Sequence, residues 1–185
     1  MQLKNTPNRF GAITKSIHWL MFILVSVQLY LIWMFENMSK TDPTRGTHMY
    51  LHKSVGTTIL LLGIFWIIWR MINTHPKPLP FAGSWQHRVS RITHNLLLLC
   101  VVAMPITGIL MSLSGGRNVD WFTLYTLTPP AWMPVNTVWS GNFKLAHEII
   151  ATTLITLVGL HTAGALVHHF IYKDTVLKRM LPFTR

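Results

Sequence analysis

The 185-residue chain is half hydrophobic and only 11% charged, far below the usual quarter, and this is the composition of a membrane protein rather than a soluble domain. Its net charge of +11 comes from lysines and arginines that flank apolar runs instead of forming one soluble patch, which argues against a nucleic-acid partner. The single cysteine, Cys100, lies inside an apolar run, so neither a disulfide framework nor a C-x-x-C-H site for covalent haem is available.

Four apolar stretches, at about 17–35, 50–72, 92–113 and 143–172, are each long enough to cross a hydrocarbon core of about 30 Å. They predict an all-α, integral membrane four-helix bundle in a single domain, residues 1–185, with no alternating strand pattern to compete. A polar lead carrying Lys4, Arg9 and Lys15 precedes the first helix, expected at about 16–36. That run ends without a small-x-small cleavage site, so it is read as a retained helix and not a signal peptide. His18 falls in its first turn, beside Trp19 in the aromatic belt. Turn residues Thr41-Asp42-Pro43 and Gly46 follow.

The second helix, at about 50–72, places His52 in its first turn, with Gly56 four residues on to clear space on the histidine's face. His48 is a rival that precedes the apolar run. Arg70 closes this helix, and residues 74–80, holding three prolines, form a stiff linker. The third helix, at about 90–113, carries His87 at its approach, His94 near its start and Pro105 within it, where a kink is expected. Residues 114–142, rich in turn residues and tryptophan, are expected to lie in the interface as a cap.

The fourth helix, at about 143–172, holds His147 and His161, fourteen positions apart. At 100° and 1.5 Å per residue, the two imidazoles look out of one helical face about 21 Å apart. Ala151 and Ala165, four residues after each, keep that face low enough for a flat ligand. One isolated histidine in an apolar helix is as readily a hydrogen-bonded bundle residue, but ionisable groups at membrane depth are costly and mark function.

Eleven of the sixteen cations lie in the N-terminal lead, the second connection and the tail, so both termini are expected in the cytoplasm. With that orientation His52 and His147 share one level and His18 and His161 the other, giving two His–His pairs. A tetrahedral zinc site needs three or four converging ligands, whereas two axial imidazoles suit haem and favour electron transfer. Lys53 and Lys144 at one face, and Arg70, Arg88, Arg91 and Lys173 at the other, can pair with propionates or anchor the helix ends.

The motifs S-I-H-W-L at 16–20, L-H-K-S-V-G at 51–56, L-A-H-E at 145–148, G-L-H-T-A at 159–163 and Y-K-D-T-V-L-K-R-M-L-P at 172–182 resemble the bacterial cytochrome b561 family. That family is similar to the haem subunits of membrane formate dehydrogenases and nickel hydrogenases. The resemblance implies two non-covalent haem b groups with His18, His52, His147 and His161 as axial ligands and iron as the metal. It also implies ubiquinone as electron partner, a multi-pass place in the bacterial inner membrane and, for one member type, oxidation of superoxide at the periplasmic surface.

The leading expectation is a free-standing oxidoreductase between a periplasmic donor, a small anion or a protein, and membrane quinone. The alternative is a cytochrome b membrane anchor for a separate dehydrogenase or hydrogenase; a histidine-lined transporter is a distant third. Beyond lipid, a homodimer or a dehydrogenase partner would fit either. Lys53 and Lys144, with Arg117, form the candidate cationic cluster for an anionic donor. His168, seven residues beyond His161 on the same face, is the candidate quinone contact, with His94 as a second contact and His169 a weaker choice.

Overall fold

The computed structural model describes residues 2–77 and 84–182; Pro78, Pro80 and Arg185 of the expected linker and tail lie outside the described residues. Four helices are long and apolar enough to cross a membrane: α1 (Ala12–Asn37), α2 (Arg45–Ile72), α3 (Ser84–Ser114) and α4 (Thr137–Phe170). Between α3 and α4 stands a short antiparallel hairpin, β1 (Val119–Trp121) and β2 (Tyr125–Leu127), pairing Val119 with Leu127 and Trp121 with Tyr125. A last short helix, α5 (Val176–Met180), follows α4. The architecture is all-α apart from the hairpin.

Each long helix begins four to six residues before the expected start, because its first turns are polar and project beyond the apolar span. α3 opens on Ser84-Trp85-Gln86-His87-Arg88. α4 opens behind Asn136, whose side-chain oxygen accepts the Trp139 amide at 3.0 Å, the usual N-cap bond. His52 and His147 therefore lie two and three turns inside their helices, and not in the first. α3 runs through Pro105.

Neighbouring helices pack in chain order, α1 on α2, α2 on α3 and α3 on α4. Among the described residues α4 makes no comparable backbone approach to α1 or α2, so a gap separates it from both. Midway along the bundle Met21, Ile59, Cys100, Val101 and Leu154 form the buried core, with Trp66, Met104 and Val158 packed against it. In lipid this core gains van der Waals packing rather than transfer from water. Outward-facing Ile23, Trp33, Ile68, Leu99 and Phe170 stay exposed and meet acyl chains.

At one end of the bundle the hairpin is fastened to α2. Ser54, 0% exposed, donates to the Asp120 carbonyl at 3.0 Å and accepts the Phe122 amide at 2.9 Å. Trp121 Nε1 donates to Thr58 Oγ1 at 3.1 Å, and Lys53 Nζ to the Asn118 carbonyl at 2.7 Å. At the opposite end the N-terminal lead and α5 meet. The Asn5 side-chain oxygen accepts from the Gly11 amide and Thr14 hydroxyl, both at 2.8 Å, while its amide group reaches the Thr74 carbonyl at 2.9 Å. Trp19 Nε1 donates to the Met180 carbonyl at 2.8 Å, and Arg179 donates to the carbonyls of Asn8 and Lys77 at 3.2 Å. N-terminal lead, α2–α3 connection and α5 thus form one cap.

Candidate functional site

The histidines of α4 face across the gap to the two helices that α4 does not otherwise approach. His147 meets His52 of α2 with ring centroids 6.4 Å apart, and His161 meets His18 of α1 at 6.1 Å. An iron held by two imidazole nitrogens at roughly 2 Å each, with about 1.1 Å from nitrogen to ring centre, sets the centroids about 6.3 Å apart. Both spacings match that distance. His94 lies closer to His161, with ring centroids 4.9 Å apart. Among the described residues no three His, Cys, Asp or Glu side chains converge as a metal cluster.

His147 is held from α3. Its Nδ1 donates to the Met104 carbonyl at 2.9 Å, with the Thr107 hydroxyl 3.2 Å from the same nitrogen. A carbonyl can only accept, so Nδ1 carries the hydrogen and Nε2 keeps the lone pair a metal requires. The ring fills the space left by Gly108, where a Cβ would stand 3.1 Å from His147 Cε1. The sequence signal for this support was M-P-x-T-G at 104–108, otherwise noted only for its kink.

His18 Nδ1 and His52 Nδ1 are buried with no partner in the protein, a cost that a folded chain rarely leaves uncompensated. A group seated in the gap would give these rings a partner. Gly56 does not open His52's face to a flat ligand as expected: the Gln28 amide occupies that side, where a Cβ would fall 2.9 Å from Gln28 Nε2. Gln28 uses the same nitrogen to donate to the His52 carbonyl at 2.9 Å. Nothing in the local sequence around His52 signalled this partner on α1.

Five other histidines make contacts elsewhere, although His169 Nδ1 is buried without a hydrogen-bond partner. His48 Nδ1 contacts the Thr44 carbonyl at 3.0 Å within its own helix start, and His75 Nε2 accepts from Arg70 Nε at 3.2 Å. His94 Nδ1 donates to the Ser90 carbonyl at 2.6 Å; among the described residues no ring contact or hydrogen bond joins it to His168. His168 Nδ1 lies 2.5 Å from Asp174 Oδ2, and His169 packs edge-on against Phe170 at 4.8 Å. Of the expected cations, Lys53 follows His52 on α2 and bonds the Asn118 carbonyl beside the hairpin, whereas Lys144 is paired with Glu148 at 3.4 Å on an exposed face. Arg70 also bonds Asn95 at 3.1 Å.

The chain as a whole is similar to known proteins. The family model described as prokaryotic cytochrome b561 matches residues 9–183. The chain is 32% identical to cytochrome b561 homolog 2 of Escherichia coli (strain K12), covering 98% of this chain and 95% of that protein. It is 26% identical to cytochrome b561 homolog 1 of the same organism, over 95% of this chain and 98% of that protein. It is also 26% identical to a protein of Yersinia pestis named probable superoxide oxidase CybB, over 96% and 98%. With a family model that matches residues 9–183 and four helices long and apolar enough to span a membrane, the chain belongs to the prokaryotic cytochrome b561 family, the multi-pass haem b electron-transfer proteins of the bacterial inner membrane.

Proposed function

We propose that the chain binds two haem b groups and carries electrons from a donor at the hairpin end to membrane ubiquinone near the end where the N-terminal lead and α5 meet. The observation that carries this reading is the pair of imidazole spacings, 6.4 and 6.1 Å, on the two helix pairs that leave a gap. His52 with His147 would hold one group, and His18 with His161 the other. Bound there, each group would supply reversible one-electron chemistry. The positive-inside bias of the N-terminal lead, the second connection and the tail puts the terminal cap in the cytoplasm. The hairpin end then faces the periplasm.

The donor side is the surface around Lys53, Asn118 and the hairpin, where Lys53 supplies a positive field to gather an anion. The similarity to a protein named probable superoxide oxidase supports superoxide as that anion. Each superoxide gives up one electron and leaves as dioxygen; two electrons and two protons convert one quinone to quinol. His168, seven residues beyond His161 on the α4 face, would meet the quinone.

A pyridine haemochrome assay of the purified chain should return two haems per chain. His147→Ala should lose the group at the hairpin end and His161→Ala the other, each leaving one. One haem in the unaltered chain, or two in either variant, would exclude the pairing. Quinone reduction only in the presence of a co-purifying dehydrogenase would replace the free-standing oxidoreductase with the membrane-anchor alternative.

A further inference from the structure

The chain folds back sharply after α4. The amides of Ile171 and Tyr172 both bond the Val167 carbonyl, at 2.9 and 3.1 Å, and Lys173 then takes a φ of 53°. That left-handed conformation is unfavourable for a residue with a side chain and persists only where the surroundings impose it. It returns Asp174 over the last turn of α4. The Asp174 amide reaches the His168 carbonyl at 3.1 Å. Its two carboxylate oxygens divide their work: Oδ2 lies 2.5 Å from His168 Nδ1 and Oδ1 accepts the first amide of α5, Val176, at 2.9 Å. Both side chains are largely covered, 26% exposed for His168 and 17% for Asp174.

A carboxylate beside Nδ1 makes that nitrogen the protonated one and leaves Nε2, on the far side of the ring, free to give or take a proton. Because α5 is tied to α1 through the Trp19–Met180 bond and to the N-terminal lead through Arg179, the carboxylate belongs to a fixed cap and not to a free tail.

We propose that Asp174 is a positioning residue for proton delivery: it holds His168 so that Nε2 hands protons from the cytoplasmic side to the reduced electron acceptor. This rests on the quinone reading above. Each turnover forms two O–H bonds as the two quinone carbonyls become hydroxyls. The two electrons come from the donor through the cytochrome, and the two protons come from water through His168 Nε2, one at a time.

The test uses the full haem-loaded chain with a reduced dye as donor and two acceptors: a short-chain ubiquinone, which needs protons, and ferricyanide, which does not. Asp174→Asn can still cap Val176 through its amide oxygen but loses the carboxylate. It should keep both haems and ferricyanide reduction within about twofold, lose quinone turnover by about 10²-fold, the usual contribution of a positioned proton donor, and leave the quinone KM within about twofold. Asp174→Glu should recover most of that loss. Equal deficits in the two variants, or loss of haem or of ferricyanide reduction in Asp174→Asn, would make Asp174 a structural residue and overturn the proposal. Wild-type quinone turnover in Asp174→Asn with turnover lost in His168→Asn would overturn the dyad and keep the quinone site. Wild-type turnover in His168→Asn would remove the site itself.

Discussion

Gly108 offers the most quantitative test of the haem seat at the hairpin end. A methyl group at this position would stand 3.1 Å from His147 Cε1 and 3.3 Å from Nδ1, so the ring must yield by a few tenths of an ångström. It cannot yield freely, since the Met104 carbonyl holds Nδ1 at 2.9 Å and a bound iron would fix the other nitrogen. Two effects of Gly108→Ala oppose each other. Replacing a helical glycine stabilises α3 by up to about 1 kcal/mol, while overpacking costs about 1–3 kcal/mol. Only the second acts on one haem seat and not the other, because His161 lies fourteen residues away along α4. The readout is therefore the ratio of the two haems. Gly108→Ala should weaken the His52–His147 haem by about 5- to 150-fold, the overpacking cost converted at 1.4 kcal/mol per decade, and Gly108→Leu should remove it. Haem titration followed by reduced-minus-oxidised absorption, with His147→Ala as reference for the missing component, reads both. Two haems with unchanged spectra in Gly108→Leu would refute the placement of His147.

Three further outcomes are expected. His94→Ala should retain two haems, because a 4.9 Å ring separation leaves no room for iron between His94 and His161; loss of a haem would make His94 the ligand in place of His18. Ser54→Ala should leave the Phe122 amide and Asp120 carbonyl without their partner, at about 1–3 kcal/mol for a buried group, lowering the thermal midpoint by several degrees at about 2–4 °C per kcal/mol for a chain of this size. Limited proteolysis should then cut within 119–127, and an unchanged midpoint with an uncut hairpin would show that Ser54 does not fasten it. Lys53→Gln should slow oxidation of superoxide and flatten its dependence on ionic strength more than Lys144→Gln does, since Lys144 is 66% exposed and already paired with Glu148 and such pairs leave little net field. A larger effect at Lys144, read by stopped-flow at several salt concentrations, would place the donor surface on α4.

The four spans and the α4 histidine pair were legible because both depend on local geometry alone: apolar length, and fourteen residues turning back to one helical face. Helix starts were less legible. Ser84 to Arg91 and Thr137 to Asn142 are helical yet polar, so a hydropathy boundary falls inside the helix. The hairpin was hidden because Val119-Asp120-Trp121 is too short to show alternation and is set by Ser54, more than sixty residues earlier. Asp174 was hidden for a different reason: its approach to His168 depends on the backbone of Lys173, and a lysine gives no sign of a left-handed turn. Gly56 shows the reverse error, where space visible in the sequence is taken by Gln28 from another helix.

The gap along α4 also sets an order of assembly. The first three spans are chain neighbours that pack on one another and can insert and associate as they emerge during synthesis. Neither imidazole pair exists until α4 arrives, because it contributes one member of each. α5 and its bonds to Trp19, Asn8 and Lys77 come last of all. The gap therefore stays open sideways until α4 inserts, and α5 then acts as a latch that ties α1, the N-terminal lead and the α2–α3 connection together.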